Sequence, residues 1–316
     1  MNSRSQRVRF RRAAETAGMR AMLAVLDRLP MRAAFAFARR AADMWFLFGA
    51  KRRKVAVDNI LRAGITTDPR CARKIAHASF RHFAVMAVES AISGRFLRED
   101  NWRERVELQV APETMQLFED PNQGVILCSG HLGNWEIAAQ ILSFIKPVIG
   151  IASRMANPET DRIVQARRQG FQYEAAPKFA PEDPRRMMKV LKRGSALALL
   201  GDQNATPDGI WVPFFGRPAC THRSIPIVHM VSKAPMLFGY CVRIGPARFR
   251  MVAGPPIHIQ RTGDREADVR AILGEYHARL EEAIRAYPEQ YLWAHRRWRT
   301  PPPEVAADYS GRDVGA

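Results

Sequence analysis

The chain has 316 residues, of which 47% are hydrophobic and 25% charged, and this balance argues against a disordered or fibrous protein. Its formal net charge of +18 predicts an anionic partner: a phosphate, an anionic membrane, a nucleic acid or an acidic carrier protein. The four cysteines are scattered without a Cys-x-x-Cys pair, so they indicate neither a zinc centre nor a disulfide framework.

Residues 1–100 begin with a run of arginines and continue with apolar residues at helical spacing. The first apolar stretch, 21–25, is too short for the core of a signal peptide. The second, 33–50, is interrupted by three charged residues and falls short of the ~18 apolar residues that a spanning helix needs. The pattern predicts amphipathic helices that lie in the membrane interface, where each basic residue adds roughly 1 kcal/mol of attraction to an anionic surface. The alternative is that these helices only pack on the domain. A further helix is predicted over 71–92, and its two histidines, His77 and His82, are interpreted as packing or solvated residues.

The stretch 125–136 places polar residues at the end of a short apolar run. Residues 125–128 are uncharged and β-prone, which predicts a strand buried on both faces. His131 follows the end of this strand, where open α/β sheets bind their ligands. Asn134 is a candidate N-cap for a helix that runs to about residue 144. A turn between His131 and Glu136 would allow the carboxylate to orient the imidazole as a general base.

Gly130 to Glu136 reads Gly-His-Leu-Gly-Asn-Trp-Glu. Its His-x4-Glu spacing resembles the motif of the glycerolipid and lysophospholipid acyltransferases. The seven-residue form is similar to the bacterial lipid A biosynthesis (lauroyl/myristoyl) acyltransferase family. That resemblance extends in consistent order over about residues 20–300.

The region after the motif alternates predicted strands and helices. Strands are predicted at 147–152, 196–200, 235–244 and 248–253, and helices at 158–169, 184–193, 225–232 and 264–286. Asp202 and Gln203 follow the strand at 196–200 and match the family pattern. The family also has an arginine before an Asn-Pro pair and another late in the next helix, here Arg154 and Arg168.

Three later segments extend the resemblance or depart from it. Val-Pro-Phe-Phe-Gly-Arg-Pro at 212–218 matches the family, and its aromatic residues form either the wall of an acyl-chain channel or a packed loop. Residues 219–226 lack the usual threonine-rich run, which leaves the donor and the acceptor open. The segment 288–299 matches the C-terminal signature, and its Tyr, Trp and Arg residues suit lipid headgroups.

The fold expectation is one α/β domain with a central mixed β-sheet flanked by helices, like that of the glycerolipid acyltransferases, preceded by amphipathic helices. Residues 1–100 are expected to be the basic membrane-associating region, 101–300 the catalytic domain and 301–316 a disordered tail.

The resemblance implies an O-acyltransferase that moves a fatty acyl group from acyl-carrier protein or acyl-CoA to a hydroxyl of a lipid A precursor in a ternary complex. His131 is expected to be the general base, and Glu136 to fix its tautomer. The backbone amides of Gly133 and Asn134, with Arg154 or Arg168, are expected to stabilise the oxyanion. Asp202 and Gln203 are expected to bind substrate. No metal or cofactor is implied, and the expected location is the cytoplasmic face of the bacterial inner membrane, as a peripheral or monotopic protein.

Two kinds of alternative remain open. The acceptor is a phosphatidylinositol mannoside, an ornithine lipid or a lysophospholipid if the departure at 219–226 changes it. A basic nucleic-acid-binding protein is the alternative of a different class, but it rests on charge alone, without a recognised nucleic-acid-binding motif, so no nucleic-acid partner is expected. A catalytically inactive membrane scaffold is disfavoured by the intact His131 and Glu136.

Overall fold

A computed structural model describes residues 3–152, 155–168, 173–177, 184–205 and 209–303. Within them, the chain forms an α/β structure with a seven-stranded mixed sheet flanked by helices, which confirms the predicted fold class. The helices are α1 (Ser3–Arg28), α2 (Met31–Phe48), α3 (Ala50–Arg62), α4 (Pro69–Ala91), α5 (Trp102–Arg105), α6 (Pro112–Glu119), α7 (Trp135–Ser143), α8 (Pro158–Arg168), α9 (Pro184–Lys192), α10 (Ser224–Ser232) and α11 (Arg265–Ala286). Short 3-10 helices lie at Ser93–Arg95 and Pro288–Gln290.

The strands are β1 (Val106–Val110), β2 (Val125–Ser129), β3 (Val148–Ala152), β4 (Tyr173–Pro177), β5 (Ala196–Leu200), β6 (Ile210–Phe214), β7 (Arg217–Thr221), β8 (Met236–Gly245) and β9 (Arg248–Ala253). The sheet order is β1-β9-β8-β2-β5-β3-β4, and β6 and β7 form a separate antiparallel hairpin. Only the β8–β9 pair within the seven-stranded sheet is antiparallel among the described strands. All five predicted strands are present, whereas β1, β4 and the hairpin were not predicted.

The central strand β2 separates two hydrophobic clusters. Ile126 and Cys128 belong to the cluster that includes α3, α4 and α11, and Val125 and Leu127 belong to the cluster that includes α7. Alternate side chains of a strand point to opposite faces, so this strand is buried on both sides, as its uncharged sequence predicts. The helices on either face hold the carboxyl end of β2 in place.

Helix caps at two positions follow the sequence signals. Asn134 accepts a hydrogen bond from the backbone N–H of Ile137 at the start of α7 (3.1 Å). Asp264 accepts bonds from the N–H groups of Glu266 and Ala267 at the start of α11. These caps satisfy donors that the first turn of a helix otherwise leaves without partners.

Three sequence expectations concern the outer segments. No helix among the described residues has the length and apolar character needed to cross a membrane. The tail from residue 304 onward lies outside the described residues. In the C-terminal signature, Tyr291, Trp293 and Arg297 are buried, so the expectation that they meet lipid headgroups is wrong for these three side chains.

Candidate active site

Two neighbouring strands bring His131 and Asp202 together, although the residues are 71 positions apart in the chain. The strands β2 and β5 pair in parallel, with Ser129 opposite Leu200. Each strand is followed by one glycine and then by the polar residue. Both side chains therefore lie at the carboxyl edge of the sheet, where the sequence predicted a ligand site.

Asp202 holds His131 through two hydrogen bonds. His131 Nδ1 is 2.7 Å from Asp202 Oδ1, and the backbone N–H of His131 donates to Asp202 Oδ2 at 2.8 Å. Because an ionised carboxylate only accepts hydrogen bonds, Nδ1 carries the proton and Nε2 is left with a lone pair. The side-chain amide nitrogen of Gln203 lies 3.1 Å from Nε2 and can donate to it. The sequence assigned the tautomer to Glu136, but in the structure the carboxylate at Nδ1 belongs to Asp202.

The electrostatics of this pair favour an imidazole that can take up a proton. Burial lowers the pKa of His131, and the charge and hydrogen bond of Asp202 raise it by more, so the net shift is upward. Burial raises the pKa of Asp202, but His131 lowers it by more and keeps the carboxyl ionised. A base of raised pKa with a fixed tautomer has the properties needed for general base catalysis near neutral pH.

Asp202 is enclosed by residues from the C-terminal segment. It is only 2% exposed, and its charge, after burial, raises the pKa of the buried Tyr291 hydroxyl. The buried guanidinium of Arg297 stabilises its charge and donates to the Cys220 carbonyl and the Thr221 hydroxyl, both at 2.6 Å. The departure at 219–226 therefore forms part of the support beneath Asp202. Sequence reasoning missed Arg297 and Tyr291 because their signature resembled a lipid-facing segment.

Gly133 and Asn134 shape the turn after His131, and their backbone amides are hydrogen-bonded within the protein. The N–H of Gly133 donates to the Gln290 carbonyl (2.9 Å) and that of Asn134 to the Cys241 carbonyl (2.7 Å). Both predicted amides are thus occupied by the scaffold. Gly133 has φ +64, and a Cβ there would lie 2.0 Å from the Cys241 oxygen, so only glycine fits.

A second buried network lies behind the same turn. Glu89, which is fully buried, accepts bonds from Arg243 Nε (2.5 Å) and Nη2 (2.8 Å) and from Asn134 Nδ2 (3.1 Å). Arg243 Nη1 donates to His82 Nδ1 (2.9 Å), and His82 Nε2 donates to the Gly133 carbonyl (3.0 Å). The sequence interpreted His82 only as packing or solvated. The structure shows that it fixes the turn that presents His131.

For the other three predicted site residues, Glu136, Arg154 and Arg168, the structure defines the position less fully. Glu136 is half-buried in the first turn of α7, next to Trp135, whose ring meets that of His131 edge-on at 4.8 Å. Arg154 lies outside the described residues. Arg168 ends α8, and its side chain also lies outside them.

A small apolar cavity of about 40 Å³ lies beside the pair, on the α7 side of the sheet. Ser129 and Trp135, which lie close to His131 in the chain, line this cavity together with Leu127, Ala198 and Tyr240. The segment 212–218, expected to be either an acyl-channel wall or a packed loop, lies in the β6–β7 hairpin, where Phe214 is buried against Phe215, His277 and Trp298. Among the described residues there is no group of three His, Cys, Asp or Glu side chains arranged to hold a metal ion.

Comparison with known proteins finds similarity to two enzymes of lipid A biosynthesis. Over 184 residues the chain is 26% identical to the lipid A biosynthesis palmitoleoyltransferase of Escherichia coli (strain K12) and, to the same extent, to a lipid A biosynthesis acyltransferase of Shigella flexneri. These alignments cover 57% of this chain, and they span 58% of the length of each relative.

The crystal structure of the 1-acyl-sn-glycerophosphate (LPA) acyltransferase of Thermotoga maritima is similar at a TM-score of 0.37 and 15% identity, over 80% of this chain and 96% of that one. The sequence pattern of the bacterial lipid A biosynthesis acyltransferases matches residues 1–300. The chain therefore belongs to the bacterial lipid A biosynthesis acyltransferase family.

Proposed function

We propose that this protein is an O-acyltransferase that transfers a fatty acyl group from a carrier thioester to a hydroxyl of a lipid A precursor. The observation that carries the proposal is the His131–Asp202 pair at the carboxyl edge of the sheet, with Nε2 facing a side-chain amide that substrate can displace. Family membership supplies the reaction class, and the names of the two relatives supply the acceptor.

In the proposed mechanism His131 Nε2 removes the proton from the acceptor hydroxyl as its oxygen attacks the thioester carbonyl carbon. The tetrahedral intermediate then collapses, the C–S bond breaks, and the leaving thiolate takes the proton back from the imidazolium. Asp202 stabilises the imidazolium because its charge lies 2.7 Å from Nδ1. General base catalysis of this kind contributes about 10²–10⁴-fold.

Stabilisation of the oxyanion needs donors other than the amides of Gly133 and Asn134, which are already bonded. The side-chain amide of Gln203 lies at the reacting nitrogen. The positive end of α7 begins at Trp135, which contacts the imidazole ring. We assign stabilisation of the oxyanion to the side-chain amide of Gln203 and to the start of α7. The family resemblance adds Arg154 and Arg168 as further donors. Loss of one such donor costs roughly 3 kcal/mol of transition-state stabilisation.

The proposed donor is acyl-carrier protein or acyl-CoA, because both are anionic and the chain carries a net charge of +18. The proposed mechanism uses no metal or redox cofactor, since proton transfer and an oxyanion site suffice for attack on a thioester. Glu136 remains the second candidate carboxylate.

The proposed location is the cytoplasmic face of the inner membrane, with α1 and α2 as the contact. Of thirteen large apolar side chains exposed among the described residues, nine belong to these two helices, and Phe10 (79%) and Phe48 (74%) are the most exposed. Their arginines suit an anionic surface. Flotation with anionic vesicles tests this: Phe48→Glu together with Trp45→Glu should reduce binding, whereas Leu108→Glu on β1 should not.

Mass spectrometry of lipids tests the function in host cells that lack the gene. Intact protein should restore one acyl chain to lipid A, and His131→Ala should not. Asp202→Asn and Glu136→Gln then separate the two carboxylates. In a triad where a carboxylate fixes the histidine tautomer, the Asp→Asn change lowers the rate about 10⁴-fold, so Asp202→Asn should show the larger loss.

Two outcomes would change the proposal. A changed phospholipid or aminolipid with unchanged lipid A would keep the chemistry and move the acceptor. Full restoration by folded His131→Ala would remove His131 from the mechanism.

A further inference from the structure

A basic cavity lies one loop away from the proposed general base. It has a volume of about 460 Å³, within the range of small-ligand pockets. Its wall consists of the start of α3, the loop after β5 and the C-terminal signature. The polar and charged residues of this wall are Lys51, Arg52, Asn204, His295, Arg296 and Arg299.

The cavity concentrates positive charge, and three of its arginines have no carboxylate partner among the described residues. Four of its side chains are lysine or arginine, and the wall contains no carboxylate. Among the described residues, Arg52, Arg296 and Arg299 take part in no ion pair. Some surface arginines elsewhere do have carboxylate partners, as in Arg250–Glu107 (2.8 Å) and Arg279–Glu275 (2.7 Å). Like charges held around one cavity repel each other unless an anion lies between them.

The wall is preorganised by hydrogen bonds. The N–H of Asn204 donates to His295 Nε2 (3.0 Å), and its side-chain amide donates to the Thr300 hydroxyl (2.9 Å). The buried Asn59 donates to the carbonyls of Trp293 (2.8 Å) and His295 (2.7 Å). These bonds fix the backbone that carries Arg296 and Arg299, so an anion would bind without much ordering of the chain.

Residues of the cavity wall are neighbours in the chain of both the reaction centre and the exposed apolar surface. Asn204 directly follows Gln203, whose amide lies 3.1 Å from His131 Nε2. On the other side, Lys51 follows the end of α2, where Leu47 and Phe48 are 59% and 74% exposed. A lipid that leaves its chains at this apolar end can place a headgroup in the cavity and a hydroxyl near the imidazole.

We propose that this cavity is a phosphate-binding site that positions an anionic substrate for His131. The inference rests on the proposed function for the identity of that substrate. The phosphate belongs either to the glycolipid acceptor or to the phosphopantetheine arm of the donor. The position of the cavity next to the apolar end of α2 favours the acceptor as the source of the phosphate. Arginine suits the role because its fixed donors match phosphate oxygens in pairs.

Calorimetry tests the site without requiring turnover. Wild-type protein should bind glucosamine 1-phosphate more tightly than glucosamine, and Arg296→Ala with Arg299→Ala should abolish that preference. Arg265→Ala, an exposed arginine on α11 outside the cavity, is the matched control and should leave it intact. Equal binding of the two sugars by wild-type protein would overturn the proposal.

Kinetics then identify the source of the phosphate. With a phosphorylated acceptor, the double variant should raise the acceptor KM ~10–100-fold, the effect expected for charged hydrogen bonds, with little change in kcat. With a dephosphorylated acceptor, wild type and variant should have the same KM. A rise in the donor KM alone would assign the site to the donor phosphate, and unchanged KM values for both substrates would refute it. A wild-type protein that transfers no acyl group would contradict the proposed function and leave the calorimetric result to decide the site.

Discussion

The two histidines that flank the turn 131–134 have similar neighbours and opposite properties. His131 and His82 are both largely enclosed, and each is hydrogen-bonded to a charged residue. Asp202 raises the pKa of His131, whereas burial and then Arg243 lower the pKa of His82 to about 3. One imidazole is ready to accept a proton, and the other is held neutral.

The difference lies in the second ring nitrogen. In His82 both nitrogens serve the scaffold, one with Arg243 and the other with the Gly133 carbonyl. In His131 only Nδ1 is bound to a carboxylate, and Nε2 meets a neutral amide that substrate can displace. The role of a buried histidine is therefore set by the charge of its partner and by which nitrogen remains available.

The largest expected effect is on the rate of acyl transfer, which should differ between variants of the two histidines. His131→Ala should lower transfer by ~10²–10⁴-fold, because it removes the proposed base. His82→Gln should retain most transfer but lower the unfolding midpoint. Activity assays with urea unfolding on both variants measure this contrast. Equal losses of activity would show that His82 acts in the chemistry.

The next effect concerns the stability of the turn. Glu89→Gln should destabilise the protein by ~3–5 kcal/mol, because it leaves the Arg243 guanidinium without its carboxylate in a buried site. Asp43→Asn is the matched control: its pair with Arg81 is partly exposed, so the loss should be ~1 kcal/mol or less. Urea unfolding at neutral pH gives both values. Similar small losses would mean that the Glu89 network does not hold the turn.

A subtler effect is the pH dependence of transfer. The proposed reaction needs neutral His131, and the pKa of this imidazole is raised above the ordinary 6.5, so activity should fall on acidification through that raised value. Asp202→Asn removes the charge that raises the pKa, so the residual activity should fall at lower pH than in the wild type. Profiles of kcat/KM against pH report this limb for the free enzyme. If the acidic limb lies at the same pH in the wild type and in Asp202→Asn, the charge of Asp202 does not set the pKa that controls activity.

The last effect, which is modest for each pH unit, is the pH dependence of stability. A histidine with a depressed folded-state pKa binds its proton more readily when unfolded, so stability falls as pH drops from 6.5 towards that pKa. For His82, with a pKa of about 3, the slope should be ~1.4 kcal/mol per pH unit in the middle of this window. His82→Gln should remove about one such slope from unfolding curves at pH 4–6. His277→Gln is a comparison, since burial also lowers that pKa to about 3.

The sequence predicted local features of the site better than distant ones. The strand at 125–128, the cap at Asn134 and the position of His131 follow from residues within one short segment. Glu136 was assigned to Nδ1 because it lies within local reach. The carboxylate at Nδ1 comes instead from β5, and the pattern of one sequence does not reveal which strand neighbours β2.

Burial caused the other discrepancies. Arginine and tyrosine in a C-terminal signature usually indicate a surface, but Arg297 and Tyr291 are held inside by Asp202 and its neighbours. The hairpin of β6 and β7 was missed because its proline and glycine residues read as a loop. The sequence still placed Asp202 correctly at the end of a buried strand.

The position of β2 in the sheet has a consequence for biosynthesis. Both strands that pair with it, β5 and β8, are synthesised after it, so the central strand leaves the ribosome before its partners exist. Until then its unpaired edges and apolar side chains are exposed to association with other chains. A nascent chain that ends before residue 196 contains the complete His-x4-Glu segment and lacks Asp202. The proposed base can therefore be oriented only late in synthesis, after β5 and Asp202 have left the ribosome.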